Sequence, residues 1–364
     1  MERTLTDAEA ARRDALATRL QASLLGGFDL LAIHLGLELG LYRALAAAPA
    51  TPLELADRAG IAARYAREWL EHQAVGGILD VDDISGEPDQ RRYALPAGHA
   101  EALLDPDSQA IVTPLVGSLV GAARVTPRLA AAYRSGRGLE WSRYPAMVAT
   151  QEAGSRPVYR ALLAKAWLPS IPDVDARLRA EPPARIADLA CGAGWSSIAM
   201  AHGYPRAEVV GLDVDAESIE RARANAEAEG VAGRVRFEHV DAEAAHLEGT
   251  FDLVTIFEAV HDLARPIEVL STARALLAPG GTLVVADERV AEKFTVPGDD
   301  IERLMYGYSL LYCLPNGLAD PPSVGTGTVM RPATLRAYAE AAGFRGFSIL
   351  PIEHEQLRLY RLDP

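Results

Sequence analysis

The run Asp188-Leu189-Ala190-Cys191-Gly192-Ala193-Gly194-Trp195, followed by an acid at Asp213, is the stretch of this 364-residue chain whose residue types and spacing best suit a chemical task. Glycines let a backbone approach a ligand closely, because no Cβ intervenes. An acid about 20 residues beyond such a turn can accept both hydroxyls of a ribose. The flanks supply elements to hold these groups. Ala184 to Leu189 reads as a short buried strand, and Ser196 to His202 as the start of a helix with serine at its mouth. Ala207 to Leu212 is a second apolar strand that ends in Asp213. Strand, glycine turn, helix, strand and acid form the first half of a nucleotide-binding crossover.

The glycine spacing argues against a dinucleotide. Hydride-transfer folds place a third glycine to seat the helix against the sheet. Here Gly192 and Gly194 are followed by Trp195, Ser196 and Ser197. Asp188 at the first strand's end would repel a pyrophosphate but welcome a cationic amino-acid ligand. The pattern resembles motif I of class I S-adenosylmethionine-dependent methyltransferases, departing from its commonest form at Ala190, where many members carry glycine. A structural turn in another doubly wound enzyme is the bland alternative.

Downstream segments continue the resemblance in order. Val235 to Val240 reads as a third strand before Asp241-Ala242, and Phe251 to Phe257 as a fourth before Glu258. Leu277-Ala278-Pro279-Gly280-Gly281-Thr282-Leu283 is similar to the entry into the fifth strand of these methyltransferases. Chemically it is a helix stop before a buried strand. The resemblance runs from Glu181 to about Val290 and implies S-adenosylmethionine as cofactor. It implies binding positions at Asp188, Gly192, Gly194, Asp213, Val214, Asp241, Ala242 and Phe257, with Asp241-Ala242 meeting the adenine.

Reacting groups in a doubly wound sheet lie at the carboxyl ends of its strands. The fourth strand ends in Phe257-Glu258-Ala259-Val260-His261-Asp262. In the O-methyltransferases this region resembles, a His-Asp pair here supplies the general base, which implies His261 as base with Asp262 or Glu258 orienting it. Imidazole suits proton removal near neutral pH. A helix-start histidine bonded only to backbone is the plain alternative. A third reading puts His261 and Asp262 in a metal site completed by Asp287, Glu288 or Cys313, with His354 more remote; the favoured reading has no metal. Asp287, after the fifth strand, matches a carboxylate that plant-type relatives set beside the base. It could instead pair with Arg289 or Arg303. Ile301 to Leu314 reads as a helix rich in tyrosine, and Phe347 to Leu362 as an antiparallel edge hairpin.

The first half reads differently. Ala8 to Ala47 suggests two or three helices, with apolar residues at helical spacing. Thr51-Pro52-Leu53-Glu54 is a capping box with proline at the first helical position, and that helix stops at Gly60. A helix from about Ala62 to Val75 and two short strands, Ile78 to Val81 and Arg91 to Leu95, complete a winged helix. Small-molecule O-methyltransferases similarly carry such a module, which forms a homodimer and closes one side of the acceptor pocket. Leu115 to Tyr133 reads as a helix broken or kinked at Pro127, and Pro157 to Trp167 as another; their neighbours Trp141, Arg143 and Tyr144 either roof the acceptor or simply pack.

Composition sets the bounds. A net charge of −14 disfavours nucleic acid, which needs clustered Lys and Arg. The second winged helix offers Arg64, Arg67 and His72, but with Glu68 and Glu71 among them. The Leu24–Ala48 segment is interrupted by Asp29, His34 and Glu38, so no membrane span is expected. Two cysteines and a charged N-terminus fit a cytoplasmic protein with reduced thiols. The expected fold class is α/β: a Rossmann-like doubly wound methyltransferase sheet with an N-terminal all-helical, winged-helix domain. Expected bounds are 1–105 for the winged helix, 106–175 for a helical connector and 176–364 for the cofactor-binding domain. The expected function is methyl transfer to a small molecule, at oxygen. Rivals are transfer to nitrogen or carbon, a non-methylating use of the same cofactor, and a ligand-sensing transcriptional regulator.

Overall fold

A computed structural model describes residues 5–242 and 251–364, in two compact units, Met1–Val120 and Gly121–Pro364. In the first unit, helix α1 (Asp7–Glu38) opens with a capping box between Thr6 and Glu9. The two or three helices expected over Ala8–Ala47 are two, α1 and the short helix Leu41–Ala47, and Gly26 and Gly27 stay within the 32 residues of α1. Only Ile33 and Gly36 of α1 are buried, and Leu16, Leu20, Leu24, Phe28, Leu31 and Leu35 are exposed at helical spacing. α1 is also long and apolar enough to cross a membrane, by length and composition only. Helices α2 (Leu41–Ala47), α3 (Pro52–Ala59) and α4 (Ala63–Val75) follow, α3 carrying the expected Thr51–Glu54 capping box and ending at Gly60 with φ +67°. The wing is a short antiparallel pair, β1 (Asp80–Val81) and β2 (Tyr93–Ala94), followed by α5 (Ala97–Leu104). Tyr42, Leu55, Leu70 and Tyr93 fill the core of this unit.

Helix α6 (Thr113–Ser135) spans the boundary between the units and continues through Pro127. In the second unit, α7 (Met147–Val158) passes into a π-helical stretch, Tyr159–Trp167, and α8 (Pro172–Arg179) leads to the sheet. The sheet alternates strands and helices: β3 (Arg185–Leu189), α9 (Trp195–Gly203), β4 (Glu208–Asp213), α10 (Ala216–Ala228), β5 (Val235–His239), β6 (Phe251–Phe257), α11 (Pro266–Leu276) and β7 (Leu277–Glu288). Helices α12 (Asp300–Tyr308), α13 (Leu314–Gly317) and α14 (Pro332–Ala341) precede β8 (Gly346–Ile349) and β9 (Leu357–Asp363). A second π-helical stretch, Ser309–Cys313, joins α12 to α13.

Strand order is β5-β4-β3-β6-β7-β9-β8, with the first five strands parallel and the β8–β9 hairpin antiparallel. This is the expected Rossmann-like methyltransferase sheet. Alternate residues of β3 serve opposite faces: Ile186 packs with α8, α9 and the π-helical Tyr159–Trp167, while Ala187 and Leu189 pack with α11 and α14. A sheet buried on both faces requires largely apolar strands, as β3 and β6 are apart from Arg185, Asp188, Asp252 and Thr255. The parallel arrangement brings the ends of β3, β4, β6 and β7 to one edge.

Candidate active site

At that edge the turn after β3 is shaped by backbone conformation. Gly192 has φ +53° and Gly194 φ +82°. A Cβ on Gly194 would lie 2.6 Å from the Phe237 ring and 2.9 Å from Ala222 Cβ, so helix α9 can seat there only on glycine. A Cβ on Gly192 would meet nothing within 4 Å, which leaves the turn open at that point. Ala190 adopts φ +54°, a left-handed conformation unusual for alanine, at the position where the resembled motif prefers glycine.

Asp213 closes this turn. Its Oδ2 accepts the Gly192 N–H at 2.8 Å and its Oδ1 accepts the Asp215 N–H at 2.8 Å. Burial raises its carboxyl above the usual range, against the backbone donors. A carboxylate has about four lone-pair directions, so beyond its backbone donors Asp213 could still accept from a ligand hydroxyl. Val214 beside it is 67% exposed, Asp241 is exposed and Ala242 half-buried. The open Gly192 position and an oriented Asp213 fit an adenosyl ligand whose ribose bonds the acid. Phe257 is buried, its ring 5.8 Å from that of Tyr159.

Asp188, at the end of β3, is held by three hydroxyls. It is 1% exposed; Oδ2 accepts the hydroxyls of Ser196 and Ser197 at 2.6 Å each, and Oδ1 that of Thr255 at 2.7 Å. The cause is register, since Asp188 pairs with Thr255 of β6 while α9 begins directly above. Burial raises this carboxyl too, against its three hydroxyl donors. Asp188 therefore pins β3, β6 and α9 together.

His261 lies in a short 3-10 turn after β6, 2% exposed. Its Nδ1 is 2.8 Å from Asp287 Oδ1 and 2.9 Å from Glu288 Oε2, both at the end of β7. One ring N–H cannot serve both acids. Asp287, held below the usual carboxylate range by His261 against the larger effect of burial, accepts it. Glu288 is pushed up by burial to about 8, against the pull of His261. Burial pulls the imidazole down, yet Glu288 and Asp287 outweigh it and His261 stands well above 6.5. The alternative ion pairs for Asp287 are taken elsewhere, since Arg289 reaches Glu353 and Arg303 reaches Asp300.

Neither residue expected to orient His261 does so. Asp262 faces Asn316 and Trp141, and burial raises its carboxyl to about 6. Glu258 adopts φ +54° and accepts the Tyr159 hydroxyl at 2.5 Å. His261, Asp262 and Cys313 nevertheless bring nitrogen, oxygen and sulfur donors within 4.8 Å of one another, as do His261, Asp287 and Glu288. Of the aromatics expected as a roof, Tyr144 packs on Tyr312 at 4.7 Å and bonds the Leu311 carbonyl, which is a packing role. His354 accepts the Leu357 N–H at 3.1 Å and meets the Trp167 ring edge-on, capping the turn before β9. Sequence reasoning missed Tyr159 and Glu152, whose partners lie 99 and 43 residues away. No local pattern marks contacts that long.

Residues 181–309 match a methyltransferase domain, and residues 29–104 an Rv2258c-like winged HTH domain. A ubiquinone biosynthesis O-methyltransferase of Psychrobacter arcticus is 34% identical over 104 residues, 28% of this chain and 40% of that protein. A demethylmenaquinone methyltransferase of Thermus thermophilus is 41% identical over 106 residues, 29% of this chain and 47% of that protein. The chain thus spans less than half the length of these curated relatives. Two solved structures resemble nearly the whole chain. The mitomycin 7-O-methyltransferase MmcR has a TM-score of 0.70 at 20% identity, covering 97% of this chain and 99% of its own. Human N-acetylserotonin methyltransferase in complex with SAM has a TM-score of 0.71 at 19% identity, covering 100% and 99%. At such identities the likeness is one of fold.

Proposed function

We propose that this chain, which carries a methyltransferase domain behind an Rv2258c-like winged-helix domain, transfers a methyl group from S-adenosylmethionine to a hydroxyl of a small molecule. The cofactor supplies an electrophilic methyl on a sulfonium. Asp213, Gly192, Gly194, Val214, Asp241 and Ala242 line the cradle that holds it, and Asp188 and Phe257 support that cradle from beneath. In its neutral form His261 removes the acceptor's proton, and Asp287 holds the imidazole in one orientation and balances its charge once protonated. Because the imidazole stands well above its ordinary value, turnover rises with pH through that raised pKa. The single observation behind this reading is the buried His261–Asp287 pair, 2.8 Å apart, at the strand edge that carries the glycine turn.

A hydroxyl acceptor is favoured because a carboxylate-backed imidazole suits a reaction in which a proton must leave. The experiment supplies methyl-labelled S-adenosylmethionine with pooled small metabolites and identifies the labelled product by mass spectrometry. His261→Ala is expected to lower turnover roughly 10²–10⁴-fold while leaving cofactor affinity near normal. Near-normal turnover by a folded variant would remove the base and shift the assignment to an anionic or carbon acceptor.

The convergence of His261, Asp262 and Cys313 favours one second reading, a thiophilic divalent metal at the acceptor. In that case a chelator abolishes activity and added metal restores it. DNA binding is disfavoured, because the α4 arginines are spent on acids: Arg64 on Glu68 and Arg67 on Asp89. A specific shift of operator-length DNA would revive the regulator. The exposed leucine stripe of α1 supports a homodimer built on the first unit, since an apolar face that long is a liability unless covered. Buried, unpaired Cys191 and Cys313 suit a cytoplasmic setting.

A further inference from the structure

Glu152 lies on α7, 29 residues before the methyltransferase domain match begins, yet its side chain is directed at the glycine turn. Its Oε1 accepts the indole N–H of Trp195 at 3.1 Å and an amide N–H of Asn225 at 2.8 Å. Its Oε2 pairs with Arg221. Trp195 is the first residue of α9, and Asn225 and Arg221 lie one turn apart on α10. The Asn225 amide nitrogen also donates to the Ala193 carbonyl at 3.0 Å, so its two hydrogens are divided between Glu152 and the turn itself. One carboxylate, 11% exposed, therefore ties α7 to α9, to α10 and to the peptide between the two glycines.

Two further contacts belong to the same arm. The Arg156 guanidinium, one turn beyond Glu152, lies over the Trp195 ring at 4.4 Å. Tyr159, where α7 becomes π-helical, bonds Glu258. By strand register, Glu258 stands between the glycine turn and the His261–Asp287 pair: Leu189 is level with Ile256, and Phe257 with Ala286. The arm thus grips the turn at one end and the reacting edge at the other.

We propose that Glu152 is the positioning residue of the cofactor turn, holding Ala193 and Trp195 through hydrogen bonds from α7 so that the cradle is formed before the cofactor arrives. The inference rests on the cofactor reading above. Without the carboxylate, the buried Trp195 N–H loses its acceptor and Asn225 loses the bond that fixes it against Ala193. Such a turn must be ordered by the ligand, and binding weakens while chemistry at saturation is retained.

The test measures S-adenosylmethionine binding to the full chain by calorimetry. Glu152→Ala is expected to weaken binding by about 10- to 100-fold and to raise the cofactor KM with kcat within a few-fold of normal. Glu152→Gln, which keeps an oxygen for Trp195 and Asn225 and loses only the half-exposed Arg221 pair, is expected to recover most of the affinity. A double-mutant cycle with Asn225→Ala separates position from stability, because coupled residues give a loss well short of the product of the single losses. Wild-type affinity in Glu152→Ala, no recovery in Glu152→Gln, or purely multiplicative losses would overturn the proposal. Absence of binding to the unaltered protein would instead reject the cofactor reading on which it rests.

Discussion

Gly192 and Gly194 stand two residues apart, both at positive φ, and alanine at each should fail in a different way. At Gly194 the added Cβ would sit 2.6 Å from Phe237 and 2.9 Å from Ala222 Cβ. Phe237 is 4% exposed on β5 and has no room to swing away. Overpacking of that kind costs about 1–3 kcal/mol, and the left-handed backbone about 1–2 kcal/mol more. The sum, about 2–5 kcal/mol, lowers the melting temperature by roughly 2–4 °C per kcal/mol in a unit of this size. At Gly192 only the backbone cost of about 1–2 kcal/mol applies, because nothing lies within 4 Å of the new atom. The chain already bears the same cost at Ala190, with φ +54°. Gly192→Ala should therefore fold nearly as well as the unaltered chain and bind S-adenosylmethionine at least tenfold more weakly, with Gly192→Val weaker still. Urea unfolding and calorimetry on the same samples separate the two effects. Equal destabilisation by both alanines, or unchanged cofactor affinity in Gly192→Ala, would refute the assignment of the open side of the turn to the ligand.

Asp213→Ala should weaken cofactor binding by about 1–3 kcal/mol through lost charge-assisted bonds, and unchanged affinity by calorimetry would take this acid out of the site. Stability of the second unit should fall as pH rises from about 5 to about 8: His261 stands above 6.5, Asp262 near 6 and Glu288 near 8, so the folded chain holds more protons than the unfolded one in that window. The His261 contribution is fully present below 6.5 and is lost as pH passes its raised folded value; a urea midpoint that stays level or rises toward alkaline pH contradicts the buried charge arrangement. Light scattering should find a dimer at micromolar concentration and a monomer for Leu20→Asp/Leu24→Asp. A monomeric parent that pellets with lipid vesicles would assign the α1 stripe to a membrane instead.

Local signals in the sequence were readable because each one joins residues a few positions apart. The Thr51–Glu54 capping box, the Gly60 stop and the order of strands around the glycine turn depend on neighbours, and the structure has them where the pattern indicated. Asp188 shows the limit. Its type and place were visible, but its orientation depends on Thr255, 67 residues away and level with it only through sheet register. Asp262 likewise stood next to His261 in the chain, whereas the partner on Nδ1 came from the adjacent strand, at Asp287. The π-helical stretches were unreadable for another reason. Over five to nine residues, an apolar pattern does not separate a slightly wider turn from an ordinary helix.

Backbone strain marks the same elements independently of any side-chain contact. Among the described residues, the non-glycine positions with positive φ are Ala146, Ala190 and Glu258. A left-handed conformation at such residues costs about 1–2 kcal/mol and persists only where the surroundings force it. Ala190 lies at the base of the glycine turn, Glu258 at the end of β6 beside it, and Ala146 at the mouth of α7. These are the turn, the reacting edge and the arm that Glu152 and Tyr159 join by hydrogen bonds. Glycine at any of the three would relieve the strain, yet at 258 it would remove the acceptor of the Tyr159 hydroxyl, and at 190 it would loosen the backbone on which Gly192 and Asp213 meet. Strain at the ends of β3 and β6 is thus tied to a contact at each place, on the strand edge where His261 and Asp287 sit. Left-handed backbone at non-glycine residues gathers at functional sites, and two of these three positions, Ala190 and Glu258, adjoin the proposed cofactor turn and the proposed base.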